Sequence, residues 1–128
     1  MACLALPVHQ QAPQRGAVYE KKALDYLETQ GLKLVARNVR GRYGEIDLIM
    51  RDLDCLVFVE VRARSCDSYG GAMGSLTPAK CKRWWKTAAG YLVQHPHSGP
   101  VRFDFVAITP TGITWLKDIL QEDNLYAP

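Results

Sequence analysis

The stretch that decides the fold runs from Glu45 to Arg62 and reads EIDLIMRDLDCLVFVEVR. Its two ends are rich in aliphatic and β-branched residues, and its middle, residues 52–55, is a turn segment. The stretch therefore predicts a β-hairpin, with a first strand that ends at Arg51 and a second strand that begins at Leu56.

The length of the turn sets which residues of the two strands face each other. With residues 52–55 as the connection, Asp47 lies opposite Glu60, and Glu45 lies opposite Arg62. Because side chains alternate between the faces of a sheet, these four polar groups share one face. A slip of one residue would bury the acids among aliphatic side chains, so the register is well specified. The opposite face is predicted to be the core surface and comprises Ile46, Leu48, Met50, Val57, Val59 and Val61.

Two opposed carboxylates repel each other, and this repulsion makes the Asp47–Glu60 pair a candidate site. The pair requires a proton, a cationic side chain or a metal ion between its members. A hard cation such as Mg²⁺ binds one or two carboxylate oxygens and completes its shell with water and phosphate oxygens. The alternative is a surface network in which Arg51, Arg62 or Arg64 neutralises both acids. The pattern alone leaves both interpretations open.

The rest of the chain is predicted to surround the hairpin with helices and further strands. A helix is expected from Gln14 to Thr29, with Glu20 on its inner face. Residues 1–13 lack a period and are predicted to be a poorly structured leader, and residues 14–128 to be a single domain. The remaining predicted elements are a strand at 34–39, a helix at 77–94 capped by Thr77 and Pro78, a strand at 101–108 and a short strand at 113–116. The order α-β-β-β-α-β predicts an α/β (α+β) fold, a mixed sheet flanked by helices.

Composition places the chain among ordinary globular proteins. It has 128 residues, of which 48% are hydrophobic and 23% charged, values typical of one folded domain. No apolar run approaches the roughly 20 residues of a membrane span, and the first residues lack the pattern of a secretion signal. The four cysteines form no CxxC pair, which indicates reduced thiols and a cytoplasmic location. His95 and His97 flank a proline in a predicted turn, which favours a loop over a metal site.

Basic residues concentrate in two short segments, although the net charge is only +3. Local clusters of this kind are compatible with phosphate binding, and equally with solvated faces balanced by acids elsewhere. The candidate nucleic-acid-binding residues are Arg40, Arg42, Arg64, Lys80, Lys82, Arg83 and Lys86. Of the adjacent Trp84 and Trp85, one is expected in the core, and the other is exposed or stacks on a base.

The hairpin residues carry a resemblance to a known family. GEIDLI at 44–49 followed by VFVEVRAR at 57–64 resembles the signature of the bacterial YraN-like family (UPF0102), predicted endonucleases distantly similar to archaeal Holliday-junction resolvases. The similarity extends upstream to GAVYEKKA at 16–23. Downstream it includes Lys80-Cys-Lys82 and Arg102-Phe-Asp104, where the residues themselves favour an Asp104–Arg102 ion pair.

The resemblance implies a restriction-endonuclease-like fold of the PD-(D/E)xK superfamily and a set of catalytic residues. Asp47, Glu60 and the backbone carbonyl of Val61 would bind Mg²⁺ or Mn²⁺, with Glu20 binding the ion directly or through water. The ion would activate a water molecule and stabilise charge on the scissile phosphate. The implied substrate is branched or double-stranded DNA, and by resemblance alone a homodimer is expected.

Arg62 departs from the superfamily pattern, which has lysine at this position. Arginine keeps its charge at ordinary pH and cannot act as a general base, but it binds phosphate and stabilises developing charge. The sequence therefore leaves two functions open, beside a third interpretation as an interaction module of a larger DNA-processing assembly. The first is a metal-dependent, structure-selective DNA endonuclease in which Arg62 contacts the phosphate. The second is a non-catalytic nucleic-acid-binding domain that keeps the nuclease fold.

Overall fold

A computed structural model of the protein describes residues 8–63 and 76–120, with backbone alone for residues 8–15. The helices and strands in these ranges are α1 (Val8–Thr29), β1 (Lys33–Gly41), β2 (Gly44–Asp52), β3 (Cys55–Ala63), α2 (Pro78–Gln94), β4 (Val101–Thr109) and β5 (Gly112–Leu116). The predicted order of elements is confirmed. Helix α1 begins at Val8 rather than at the predicted Gln14, so it includes residues 8–13 of the segment predicted to be a poorly structured leader.

The five described strands form one mixed sheet in the order β1-β2-β3-β4-β5. Strands β1, β2 and β3 are antiparallel neighbours, β3 pairs with β4 in parallel, and β5 returns antiparallel to β4. A parallel pair requires a crossover connection, and α2 lies in the connection between β3 and β4. Thr77 caps α2, since its hydroxyl oxygen accepts a hydrogen bond from the Lys80 N–H at 3.2 Å.

The hairpin formed by β2 and β3 has the predicted register. Pairing runs from Leu48 with Val59 to Asp52 with Cys55, which leaves Leu53 and Asp54 as the turn. The turn is therefore two residues rather than four, but the alignment of the strands is unchanged. The pairing of β2 with β3 stops before Asp47, so it includes neither the expected Asp47–Glu60 pair nor the expected Glu45–Arg62 pair. Glu45 instead pairs with Arg40 of β1.

Both faces of the sheet are covered, each by one helix. On one face, Leu24 and Leu27 of α1 pack against Leu48, Val57 and Val59. The other face packs against α2 and includes Ile46, Ile49, Phe58, Trp84 and Ala88. The restriction of the core to a single face of the hairpin is therefore wrong.

Ile46 was expected beside Leu48 but packs under α2 with Ile49. The strict alternation of β2 is interrupted between Ile46 and Leu48, at Asp47. Neither α1 nor α2, over the residues described, combines the length and apolar character that a bilayer span requires.

Candidate functional site

Three carboxylates from α1 and β2 meet where the pairing of β2 with β3 ends. One oxygen from each of Glu20, Glu45 and Asp47 lies within 4.8 Å of the others. We call these three residues the acidic cluster. Glu20 reaches it from α1, while Glu45 and Asp47 are two residues apart in β2. This composition differs from the predicted ligand set, because Glu45 takes the position beside Glu20 and Asp47 that was expected for Glu60.

The side chain of Asp47 accepts a hydrogen bond that a backbone carbonyl oxygen would accept in a regular pair of strands. Its Oδ2 accepts a hydrogen bond from the Val61 N–H at 2.8 Å. This contact joins β2 to β3 beyond the last paired residues and accounts for the interrupted alternation of β2. It also holds the Asp47 carboxylate near Glu60 as well as near Glu20 and Glu45.

Glu60 is almost fully buried, and its main contact is with Arg62. Oε2 of Glu60 contacts Nη1 of Arg62, while Oε1 is buried without a hydrogen-bond partner in the described structure. Nη1 of Arg62 also donates to the Val61 carbonyl oxygen at 3.0 Å and lies 4.0 Å from Oδ2 of Asp47. Arg62 therefore lies at ion-pair distance from both Asp47 and Glu60.

Burial and mutual repulsion raise the pKa values of these acids. The pKa of Glu60 is raised to about 8, first by burial and then by the charge of Asp47, and Arg62 offsets only part of this. Burial also raises the pKa of Asp47, against the lowering effect of the Val61 N–H. For Glu20, burial and the charges of Asp47 and Glu45 raise the pKa. These three acids thus hold protons more tightly than solvated carboxylates do, mainly because burial disfavours their charged forms.

Asn38 contacts the acidic cluster from β1, a contact that sequence reasoning missed. With its amide nitrogen toward α1, Asn38 donates to Oε1 and Oε2 of Glu20 at 2.9 and 3.2 Å. Its backbone has a φ of 51°, a left-handed conformation in which asparagine is enriched among non-glycine residues. An asparagine in the middle of a predicted strand was the available signal, because asparagine is depleted in strands.

The candidate DNA-binding residues lie in different surroundings. Arg40 donates to Oε2 of Glu45 at 2.9 Å. Lys82, Arg83 and Lys86 are exposed on α2, and Lys80 is half-buried. Arg64 lies outside the described residues.

The tryptophan pair divides as expected. Trp84 is buried in the core under α2, and Trp85 is 42% exposed. The ring of Trp85 lies against Phe103, with the centroids 6.1 Å apart.

Arg102 and Asp104 were expected to form an ion pair, and they do. Asp104 is 1% exposed, and its oxygens accept hydrogen bonds from Arg102, from the Trp115 Nε1–H and from the Asp118 N–H. Arg102 also donates to Asp52 at 3.1 Å. These contacts satisfy the Asp104 carboxylate within the fold, so its role is structural.

His95 and His97 occupy the turn after α2, as predicted. His95 is the C-terminal cap of the helix, with its N–H bonded to the Tyr91 carbonyl. Nε2 of His97 lies 2.9 Å from the Asp54 carbonyl oxygen. Each histidine therefore has a structural contact, and neither belongs to the acidic cluster.

The fold and the site define a class: small α+β proteins with a five-stranded mixed sheet between two helices, compatible with a restriction-endonuclease-like core. The chain belongs to the family described as Uncharacterised protein family UPF0102, whose model matches residues 19–108. That range contains the acidic cluster, Glu60 and Arg62.

Relatives from several bacteria match most of the chain. A UPF0102 protein of Ralstonia nicotianae is 48% identical over 112 residues, covering 84% of this chain and 86% of that protein. A UPF0102 protein of Cupriavidus necator is 49% identical, with 85% and 84% covered. A UPF0102 protein of Shewanella halifaxensis is 43% identical, with 83% and 94% covered. The expected family is thereby confirmed.

Proposed function

We propose that this protein is a divalent-cation-dependent, structure-selective DNA endonuclease. The observation that carries the proposal is the acidic cluster itself, three carboxylates within 4.8 Å of one another, with the buried Glu60 beside Asp47. Carboxylate oxygens gathered in this way are the ligands of Mg²⁺ and Mn²⁺ in enzymes that act on phosphodiesters.

The charge balance of the described site fits a divalent cation. Glu20, Glu45, Asp47 and Glu60 carry four negative charges when ionised, and two guanidinium groups, those of Arg40 and Arg62, lie within ion-pair distance of them. The charge of Arg37 also acts on Glu20, so the four acids exceed the neighbouring cations by one charge, an excess that a divalent cation would offset. Burial is the main cause of the raised pKa values of Glu20, Asp47 and Glu60, and neighbouring carboxylates add to it. A bound ion would supply an activated water molecule and stabilise charge on the phosphate.

Residues of the chain would position the substrate and the ligands. Glu20, Asp47 and Glu60 would hold the ion, the Val61 carbonyl would be a further oxygen ligand, and Glu45 would join the set because it lies beside Glu20 and Asp47. Arg62 contacts the phosphate when it leaves Glu60, because a guanidinium binds two phosphate oxygens at once. As a permanent cation it contributes electrostatic stabilisation rather than proton transfer.

The test is cleavage of defined DNA by the full chain. Four-way junctions, flapped duplexes and linear duplexes are incubated with Mg²⁺, Mn²⁺ or EDTA. We expect cleavage of a branched or flapped DNA with either ion and none with EDTA. Asp47→Ala and Glu60→Ala should abolish it, because each removes a ligand. Asp25→Ala, which removes an exposed acid of α1, is the matched control and should cut like the wild type. Cleavage that persists in Asp47→Ala would place the active site elsewhere.

The second candidate function is a non-catalytic nucleic-acid-binding domain. The contact between Arg62 and Glu60 favours it, because the position that the superfamily gives to lysine is held by a residue that cannot accept a proton. This function predicts DNA binding without metal-dependent cleavage, with a trace of activity recovered only by Arg62→Lys. For a working nuclease, the same substitution should keep or raise the rate.

We also propose that the active protein is a homodimer in the cytoplasm. Paired cuts across a branched DNA require two active sites, so a homodimer is the proposed active form. The free thiols of Cys55 and Cys81 fit a cytoplasmic location. Sedimentation with and without a four-way junction tests the dimer.

A further inference from the structure

A groove of about 580 Å³ lies between the β1–β2 hairpin tip and α2. Arg40, Arg42 and Tyr43 line it from the hairpin, and Lys86 lines it from the helix. None of the residues that line it is an aspartate or a glutamate. The groove is therefore positively charged, in contrast to the acidic cluster beyond it.

The hairpin tip is packed onto α2, so the groove exists before any ligand binds. Gly41 pairs with Gly44, which makes Arg42 and Tyr43 the turn. A Cβ at Gly41 would lie 3.3 Å from Cγ2 of Thr87, and Thr87 is buried. Because the hairpin tip and α2 already contact each other, a ligand loses little binding free energy to ordering the groove.

Tyr43 is an exposed ring close to two cations. It is 45% exposed, with Nζ of Lys86 4.9 Å and Cζ of Arg42 6.0 Å from its ring centroid. Within the described residues, neither Arg42 nor Lys86 has an acidic partner at ion-pair distance. An exposed aromatic ring flanked by unpaired cations is the arrangement that binds single-stranded nucleic acid, since bases stack on the ring and phosphates lie near the cations.

The groove adjoins the acidic cluster through an ion pair. Arg40 lines the groove, and its Nε lies 2.9 Å from Oε2 of Glu45, a member of the cluster. The groove lies on the α2 face of the sheet and Glu20 comes from α1 on the other face, so Arg40 and Glu45 connect the groove and the cluster across the β1 edge. A base within an intact duplex is stacked on both sides and cannot present its face to Tyr43, so the ring favours an unpaired segment.

We propose that this groove binds an unpaired DNA strand, with one base stacked on Tyr43 and the adjoining phosphates bound by Arg42 and Lys86. That the ligand is DNA rests on the proposed function. The groove adds which feature of the DNA is recognised, an unpaired strand. The proposed selectivity for branched or flapped DNA would then come from recognition of a single-stranded segment beside the scissile phosphate.

The experiment measures binding separately from cleavage. Fluorescence anisotropy of a labelled twelve-nucleotide thymidine strand and of a blunt duplex is recorded with the full chain in EDTA, at several salt concentrations. Tyr43→Ala should weaken binding of the single strand by about tenfold, as expected for the loss of one stacked base, while Tyr43→Phe stays within about threefold of wild type. Lys86→Ala should reduce the slope of log affinity against log salt by about 0.7.

The matched control for Lys86 is Lys117→Ala. Lys117 also lies over an aromatic ring, with Nζ 4.3 Å from the Trp115 centroid, but it follows β5 at the opposite edge of the sheet. Loss of affinity in Lys117→Ala equal to that in Lys86→Ala would overturn the assignment, and so would equal losses in Tyr43→Ala and Tyr43→Phe.

The binding data also separate the two proposals. Equal loss of duplex and single-strand binding in Tyr43→Ala overturns the selection of unpaired DNA, as does a wild type that binds neither. Tyr43-dependent binding of the single strand without metal-dependent cleavage of any DNA supports the groove and overturns the nuclease. Cleavage that is unchanged in Tyr43→Ala, together with unchanged single-strand binding, supports the nuclease and overturns the groove.

Discussion

Nη1 of Arg62 contacts Oε2 of Glu60 and lies 3.0 Å from the carbonyl oxygen of Val61. Oδ2 of Asp47 is 4.0 Å from the same nitrogen. These three oxygen-bearing groups are the ones that the nuclease resemblance assigns to a metal ion. Arg62 therefore supplies the positive charge at these oxygens, and a cation proposed to bind between Asp47 and Glu60 would displace it.

Removal of Arg62 should tighten cation binding. In Arg62→Ala we expect the affinity for Mn²⁺, measured by titration calorimetry, to rise by about three- to tenfold, because a competing charge next to the ligands is lost. Arg51→Ala removes the same charge from an exposed position of β2 and should change the affinity by less than about twofold. An affinity that falls in Arg62→Ala would show that the guanidinium helps to hold the ligands in place.

The raised pKa of Glu60 predicts how stability depends on pH. Its pKa is about 8 in the folded protein, against 4.5 for an ordinary glutamate. Between these values, the folded protein holds a proton that the unfolded chain has released. Unfolding then releases a proton, so the free energy of unfolding falls as the pH rises, by at most about 1.4 kcal/mol per unit for one whole proton.

Urea unfolding in EDTA between pH 5 and pH 8 checks this direction, the window lying within the range set by the two pKa values. Glu60→Gln cannot ionise at this position and should flatten the decline. Glu28→Gln, at an exposed position of α1, should keep the wild-type slope. A wild-type protein whose stability rises with pH over this range would mean that Glu60 is ionised in the folded state.

Local sequence was sufficient for the order of elements and for the hairpin register. The turn at Leu53 and Asp54 and the alternation of the flanking strands determine which residues of β2 and β3 are paired. The interruption at Asp47 was not predictable in the same way. It depends on a hydrogen bond from the Val61 N–H to a side chain, and pattern analysis assumes that such a donor pairs with backbone.

The members of the acidic cluster could not all be predicted from the sequence, because contacts between distant segments determine which carboxylates meet. Asp47 and Glu60 could be placed by the hairpin, and Glu20 by the face of a helix that the resemblance singled out. Glu45 was ambiguous because its environment depends on β1, whose register no turn signal had fixed. Tyr43 belonged to a loop in the sequence and became a candidate only when the hairpin tip was seen to pack on α2.

Asn38 should support cation binding through Glu20. Its amide donates to both Glu20 oxygens, which fixes the carboxylate beside Asp47. Asn38→Gly deletes the amide and accepts the left-handed backbone, so it should weaken Mn²⁺ binding by about three- to tenfold, at the scale of one hydrogen bond to a charged group. Asn38→Ala has the same loss with added backbone strain, and should also be less stable. Equal affinity in Asn38→Gly and wild type would mean that Glu20 needs no such support.

Asp104 should be essential for stability and dispensable for cation binding. In Asp104→Ala, the Trp115 Nε1–H and the Asp118 N–H lose their acceptor, and Arg102 keeps its contact with Asp52. Breaking a buried ion pair from one side costs about 3–5 kcal/mol, a large part of the total stability of a small domain. Asp25→Ala, which breaks the exposed Lys21–Asp25 pair, should cost less than about 0.5 kcal/mol. Urea unfolding of both variants decides the matter, since similar midpoints would mean that the Asp104 contacts contribute no more than a surface pair.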